Sequence, residues 1–147
     1  METTSVDHIL DSWQNLLHQR GYRVTRPRRQ VMEIIVSSET ALTPQQIYHK
    51  SLELDQSPGI ASVYRTLEML DRLGLIQQIH QTEGCHGIWP TVDGHKHLLL
   101  CRNCGQMQVI EGNEEITEYI SMIEKNTGYK VDEHWLQLFG ICSGCSD

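Results

Sequence analysis

Four cysteines near the C-terminus form two Cys-x-x-Cys pairs. Cys101 and Cys104 make up the first pair, and Cys142 and Cys145 make up the second. Two intervening residues let both thiolates of a turn bind one ion, and four thiolates at about 2.3 Å suit tetrahedral Zn²⁺. Disulfides and a thioredoxin-like redox motif are the alternatives, but the start does not resemble a secretory signal and no βαβ pattern precedes Cys101. The spacing therefore predicts a closed, structural zinc site.

A second group of potential ligands lies where the cysteine-rich half of the chain begins, with one member further on. Its members are His80, Cys85, His86, His95, His97 and His134. In an extended strand His95 and His97 face the same side, where they can share a metal ion. One histidine is more often a hydrogen-bonded structural residue than a ligand, but six such residues near one junction favour a metal site. We expect a second ion at that junction.

The elements that hold these ligands fall into two modules. In the N-terminal one, apolar spacing predicts a helix over 6–20 and further helices beginning at Thr25, Thr43 and Ile60. Thr43 and Gln46 have the spacing of a capping box, and strands are predicted over 75–80 and 87–89. This order is typical of a winged helix-turn-helix, whose recognition helix presents its N-terminal residues to the major groove of DNA. A small helical bundle without a DNA function is the alternative.

Ser62, Tyr64 and Arg65 lie near the start of the fourth predicted helix, away from its apolar stripe. Tyr64 can contact thymine methyl groups, and Arg65 can reach guanine or a phosphate. Five arginines also fall between positions 20 and 29, in a chain whose formal charge is −7. They indicate either a phosphate-binding patch or an ordinary solvated helix face.

The C-terminal module has a different pattern. Strands are predicted around 109–110, over 129–131 and over 135–141, with a helix from Asn113 to near Gly128. Such a small unit has little core of its own, so we expect zinc and a second copy to stabilise it. The predicted fold class is α+β, with a winged helix-turn-helix DNA-binding domain over 1–90. A small α/β dimerisation and metal-binding domain with the four-cysteine zinc site follows over 91–147.

Composition excludes several classes of protein. Hydrophobic residues make up 39% of the chain and charged residues 21%, so it should fold. No apolar run approaches the roughly 20 residues of a membrane span, and the polar, acidic start predicts a cytoplasmic protein. The negative net charge argues against a general nucleic-acid coat. An enzyme is not expected, because no zinc-hydrolase or deaminase motif supplies a general base beside these cysteines.

The chain resembles the ferric uptake regulator family of bacterial metal-sensing repressors. The resemblance is carried, in order, by residues 21–28, 62–67, 74–76, 95–105 and 134–142. It implies a homodimer that binds double-stranded operator DNA through its winged helices, with structural zinc on the cysteines and a second metal that switches DNA affinity. The residue roles it implies are DNA contacts by Tyr64 and Arg65, phosphate contacts near Arg23 and Arg28, sensor ligands at His95 and His97, and a further site at His134 and Glu118.

Two departures from the family pattern bear on the sensed metal. The loop 39–42 lacks the histidine that iron and peroxide sensors commonly carry there, and Cys85 with His86 stands where an acidic ligand is frequent. A thiolate is a softer ligand and favours Zn²⁺ over Fe²⁺. The predicted function is a zinc-responsive repressor of metal-homeostasis genes, with an iron- or manganese-responsive regulator as the alternative. A zinc-stabilised dimeric interaction module without metal-switched DNA binding is the alternative from another class.

Overall fold

The computed structural model describes residues 2–81, 86–91, 96–112 and 114–146. The chain divides into two compact units, an N-terminal unit of residues 1–91 and a C-terminal unit of residues 92–147. Helices and sheets occur in both units, which confirms the predicted α+β class. Within the described ranges, no helix has the length and apolar character needed to span a membrane.

Four helices and a hairpin build the N-terminal unit. The helices are α1 (Glu2–Gln19), α2 (Arg26–Ser37), α3 (Pro44–Ser51) and α4 (Ile60–Arg72). One face of each helix is buried, and side chains such as Leu17, Met32, Ile47 and Leu70 are fully enclosed in a shared core. Gly21 follows α1 with φ +80°, a backbone conformation that glycine adopts without steric cost, so it ends the helix as predicted.

The predicted capping box of α3 is confirmed. The Thr43 hydroxyl accepts a hydrogen bond from the Gln46 backbone N–H at 3.2 Å, and the Gln46 side chain accepts one from the Thr43 N–H at 2.9 Å. Thr25 occupies the equivalent position before α2, but its side chain makes no capping bond there. The prediction that a helix starts at Thr25 is therefore confirmed, but the expected capping by its side chain is not observed.

The wing consists of β1 (Ile76–His80) and β2 (His86–Pro90), paired antiparallel from Ile76 opposite Pro90 to His80 opposite His86. Leu42 adds a single antiparallel bridge to Ile88, with N–O distances of 3.2 and 2.7 Å. A Cβ at Gly87 would lie 2.6 Å from the Ala41 Cβ, so only glycine allows this close approach. Helices α2 to α4 with this hairpin form the predicted winged helix-turn-helix.

The C-terminal unit is a three-stranded sheet with one helix. Its elements are β3 (Lys96–Cys101), β4 (Met107–Glu111), α5 (Glu114–Thr127) and β5 (Gln137–Gly140). The strand order is β4-β3-β5, in which β3 pairs antiparallel with β4 and parallel with β5. A parallel pair requires a long crossover connection, and the segment containing α5 provides it. Asn113, the predicted start of this helix, lies outside the described residues.

Two strand predictions in this unit are wrong. Residues 129–131 form no strand, and the last strand begins at Gln137 instead of Trp135. Gly128 ends α5 with φ +77°, and the Val131 N–H donates to the Glu124 carboxylate at 2.7 Å. Because a side chain of α5 satisfies this backbone group, the segment does not need a sheet ladder.

Candidate functional site

Two turns at one edge of the C-terminal sheet carry the four cysteines. Cys101 is the last residue of β3, and the turn that follows closes with a Gly105 N–H to Cys101 carbonyl bond of 2.9 Å. The second turn follows β5, where the Cys145 N–H donates to the Cys142 carbonyl at 3.0 Å. Because β3 and β5 are parallel neighbours, their carboxyl ends meet, and the two turns lie side by side.

The cysteine cluster, which consists of these four residues, has the dimensions of a metal site. All four sulfurs lie within 4.8 Å of one another, and the Cys104 and Cys142 sulfurs are 3.8 Å apart. A tetrahedron with metal–sulfur bonds of 2.3 Å has an edge of about 3.8 Å. The four cysteines are free thiols, so the disulfide alternative is not realised. This donor set can hold a metal ion and fits Zn²⁺, and the fold therefore includes the predicted four-cysteine site.

Backbone hydrogen bonds around the cluster favour the thiolate form of one cysteine, Cys101. Hydrogen bonds from the backbone N–H groups of Cys104 and Cys142 lower the pKa of Cys101 to about 6. The Cys142 N–H lies 3.3 Å from that sulfur. Cys145 behaves in the opposite way: the Asn103 side chain lowers its pKa, but the neighbouring sulfurs of the cluster outweigh that effect and raise it to about 11. A bound cation reverses this, because a coordinating thiol loses its proton.

The structure brings four of the predicted metal-binding histidines together as two pairs, one in each unit. His80 and His86 are cross-strand partners in the wing, with ring centroids 4.8 Å apart. In the C-terminal unit the buried His97 of β3 lies with its ring centroid 5.5 Å from that of His134. Among the described residues, the cysteine cluster is the group in which three or more potential ligands meet.

Three other predicted ligands are placed differently. Cys85 and His95 lie outside the described residues. Glu118 is exposed on α5. Among the described residues, the predicted regulatory set is therefore represented by His80, His86 and His97, and the additional site by His134 and Glu118.

The candidate nucleic-acid interface is centred on α4. Its buried side packs against the core through residues such as Val63, Leu67 and Leu70, which leaves Tyr64 and Arg65 exposed. Tyr64 is 45% exposed, a high value for a large aromatic side chain. The Arg65 Nε donates to the Ala61 carbonyl of the same helix at 3.3 Å.

An open groove of about 520 Å³ lies beside α4 and contains four of the five predicted DNA-contact residues. Its lining includes Arg23, Arg28, Ser62 and Arg65. The Arg28 guanidinium donates to the Arg23 carbonyl at 2.7 Å and lies 5.8 Å from the centre of the Tyr22 ring. Three arginines around one groove make a surface that suits the phosphates of a nucleic-acid backbone. We call it the arginine groove.

Tyr64, the fifth predicted contact, does not line this groove. Its hydroxyl accepts a hydrogen bond from the Gln45 amide of α3 at 3.0 Å. No sequence signal linked Gln45 to Tyr64, because the two are 19 positions apart and meet only through the packing of α3 against α4.

Two arginines of the N-terminal cluster serve the fold. Arg26 donates to the Gln56 side chain at 2.7 Å and to the Asp55 carbonyl at 3.0 Å, and it thereby holds the loop before α4. Arg29 forms an ion pair with Glu33 at 2.9 Å. Four of the five arginines are therefore divided between structural bonds and the arginine groove.

A family model and individual relatives point to the same protein family. The model of the "Ferric uptake regulator family" matches residues 19–139. The ferric uptake regulation protein of Campylobacter jejuni is 30% identical over 149 residues, which cover 100% of this chain and 94% of that protein. The ferric uptake regulation protein of Legionella pneumophila is 30% identical over 131 residues, which cover 88% of this chain and 95% of that protein.

Solved structures share the fold. The Helicobacter pylori ferric uptake regulator, described with three functional metal-binding sites, has a TM-score of 0.69 at 23% identity, covering 95% of this chain and 93% of its own. A zinc uptake regulator complexed with zinc and DNA has a TM-score of 0.70 at 18% identity. The match covers 95% of this chain and 94% of that protein.

Proposed function

Since the chain belongs to the ferric uptake regulator family, we propose that it is a cytoplasmic repressor of metal-homeostasis genes that responds to zinc. Membership of this family makes it a metal-responsive regulator and not an enzyme. One observation carries the DNA-binding part of the proposal: the arginine groove lies directly beside the exposed face of α4. Phosphate contacts in the groove give affinity, and Tyr64 with Arg65 supplies part of the specificity.

The cysteine cluster holds the structural ion in this proposal. Zn²⁺ bound by Cys101, Cys104, Cys142 and Cys145 would join the turn after β3 to the turn after β5. Four thiolates fill the coordination shell of zinc, so the site has no open position for a substrate or water. Its role is to stabilise the C-terminal unit.

The regulatory metal binds the set His80, Cys85, His86, His95 and His97, and His134 with Glu118 forms an additional site. The His80–His86 pair supports the regulatory set, because it places two imidazoles at short range. His97 of the regulatory set also lies beside His134 of the additional site, with ring centroids 5.5 Å apart. A metal with ligands from both units would bind one arrangement of the units better than others and raise its population. The thiolate of Cys85 favours Zn²⁺. Iron is the alternative, since the relatives are named for ferric uptake.

Homodimerisation is supported by the apolar surface of the C-terminal unit. Tyr129 is 76% exposed, Tyr119 60% and Trp135 57%. Several large exposed side chains in one small unit are typical of a surface that a partner covers. A twofold dimer would present two α4 helices to successive major grooves of a pseudo-palindromic operator, about 34 Å apart.

The test is a metal titration with DNA. Protein stripped of its weaker metal is mixed with a 30-bp duplex that the zinc-loaded protein has selected from a random pool, and fluorescence anisotropy is followed. We expect Zn²⁺ to restore binding at a lower free concentration than Fe²⁺ or Mn²⁺. Equal retention of the duplex with and without metal would contradict the regulatory function, and restoration by Fe²⁺ first would reassign the metal.

A pair of arginine variants tests the interface. Arg65→Ala removes a predicted contact at the arginine groove, and we expect at least a tenfold loss of affinity with zinc content and dimerisation unchanged. Arg72→Ala is the matched control, because Arg72 lies on the last turn of the same helix in an ion pair with Glu68. Similar losses in both variants would show that helix charge, and not a contact of Arg65, is being measured.

A further inference from the structure

Gln45 and Tyr64 form a hydrogen-bonded pair on the surface of the winged helix. The Gln45 Nε2 donates to the Tyr64 hydroxyl oxygen at 3.0 Å. Both residues are exposed, Gln45 in the first turn of α3 and Tyr64 in the first turns of α4. A hydrogen bond between two exposed side chains fixes their direction without burying either.

The direction of the bond determines what Tyr64 offers to a ligand. Because the hydroxyl oxygen accepts from Gln45, its own proton is available for donation outward. Gln45 keeps a second amide N–H and its carbonyl oxygen, a donor and an acceptor side by side. That combination matches the N7 acceptor and N6 donor of adenine in the major groove, while the Tyr64 proton matches acceptors such as guanine O6 or thymine O4.

The two flanks of α4 therefore differ in chemistry. On one flank Arg65 joins Arg23 and Arg28 at the arginine groove, where the groups are cationic and suit phosphates. On the other flank the Gln45–Tyr64 pair is uncharged and offers directional hydrogen bonds. Charge gives affinity for any duplex, whereas directional bonds to base edges distinguish sequences.

We propose that Gln45 is a specificity-determining residue, which orients the Tyr64 hydroxyl as a donor and reads base edges together with it. This inference rests on the proposed DNA-binding function. It assigns sequence reading to a residue of α3, the helix that precedes the recognition helix.

The experiment measures binding of full-length, zinc-loaded variants to the selected 30-bp duplex and to a set of duplexes with single base-pair changes. Gln45→Ala should lose about tenfold affinity for the selected duplex and discriminate less at one or two adjacent base pairs. Gln45→Glu should lose more, because a carboxylate accepts the Tyr64 proton and repels phosphates. His49→Ala is the control, since His49 is exposed on the same helix.

A double-mutant cycle isolates the pair. If Gln45 acts through the Tyr64 hydroxyl, Gln45→Ala should have a several-fold smaller effect in the Tyr64→Phe background than in the wild type. The dependence of affinity on salt should stay unchanged in both single variants, because neither removes a phosphate contact. Zinc content and melting temperature check that each variant is folded.

The outcomes separate this inference from the function on which it rests. Wild-type protein that enriches no duplex in the presence of metal overturns the DNA-binding function and this inference with it. Wild-type protein that binds selectively, while Gln45→Ala keeps the same affinity for every duplex, overturns this inference alone. A uniform loss across all duplexes with a smaller salt dependence also overturns it, since Gln45 would then contact a phosphate.

Discussion

In the N-terminal unit most large apolar side chains are enclosed, whereas in the C-terminal unit many of them face solvent. Val31, Ile47 and Leu70 of the first unit are 0% exposed, within a continuous core of buried residues. In the second unit Leu98, Leu100 and Met107 are buried, but most large side chains of α5 and of the segment around β5 are not. The exposed ones include Tyr119, Met122, Tyr129, Trp135, Leu138 and Ile141.

This difference indicates two ways of stabilising a small unit. Apolar burial stabilises the first unit, since each enclosed side chain contributes about 1.5–3 kcal/mol. The second unit has fewer such side chains, and units of this size usually need a metal, a disulfide or a partner. Its cysteine cluster can hold a metal, and its exposed apolar side chains can pack against a partner.

The largest effect should come from the cysteine cluster. Structural zinc contributes on the order of 10 kcal/mol to folding, so Cys142→Ser should release the metal and remove the hydrogen-exchange protection of β3. The amides of α2 and α4 should keep theirs, because their core lies in the other unit. Cys85→Ser is the control and should keep the tightly bound zinc. Protection of β3 that survives Cys142→Ser would contradict the comparison.

The second-largest effect should come from the exposed aromatic side chains of the C-terminal unit. Trp135→Ala removes an exposed aromatic side chain from both copies of a twofold dimer, and at about 2 kcal/mol each the dissociation constant should rise roughly a thousandfold. Sedimentation velocity across a range of concentrations measures this. Tyr64→Ala, a truncation of an exposed aromatic in the N-terminal unit, should leave the dimer intact. If both variants dimerise like the wild type, another surface holds the subunits together.

The core of the N-terminal unit gives an intermediate effect. Ile47 is 0% exposed, so Ile47→Ala should destabilise this unit by about 3 kcal/mol in chemical denaturation. Leu52→Ala, in the turn that ends α3, should cost much less because that side chain is 50% exposed. Zinc content should not change in either variant. Loss of zinc from Ile47→Ala would show that the two units are not independently stabilised.

The smallest effect should come from the N-terminal cap of one helix of the N-terminal unit. Thr43→Ala removes a capping bond to Gln46 and should destabilise the N-terminal unit by about 1 kcal/mol. Thr25→Ala is the matched change at α2, where the side chain makes no capping bond, and should have less than half that effect. Thermal melting of the two variants side by side measures the difference. Equal shifts would show that helix propensity, not capping, dominates.

Features with short-range causes were predictable. The capping box, the end of α1 at Gly21 and the two strands of the wing depend on residues a few positions apart, and the structure has them. Each Cys-x-x-Cys turn was also predictable, because its two cysteines are only three positions apart. The strand predicted over 129–131 failed because a carboxylate from α5, seven positions earlier than Val131, took the backbone N–H that a strand would have used.

What the sequence determined by itself was the inventory of ligands, the helical and hairpin segments and the presence of two modules, because spacing along the chain controls all of these. Only the tertiary structure decided which distant groups meet. Parallel pairing of β3 with β5 joined two cysteine turns that are 38 positions apart at Cys104 and Cys142. Packing of α3 against α4 placed Gln45 on Tyr64, and the fold divided the arginines between structure and groove. Such contacts depend on how elements pack, and local spacing does not encode that packing.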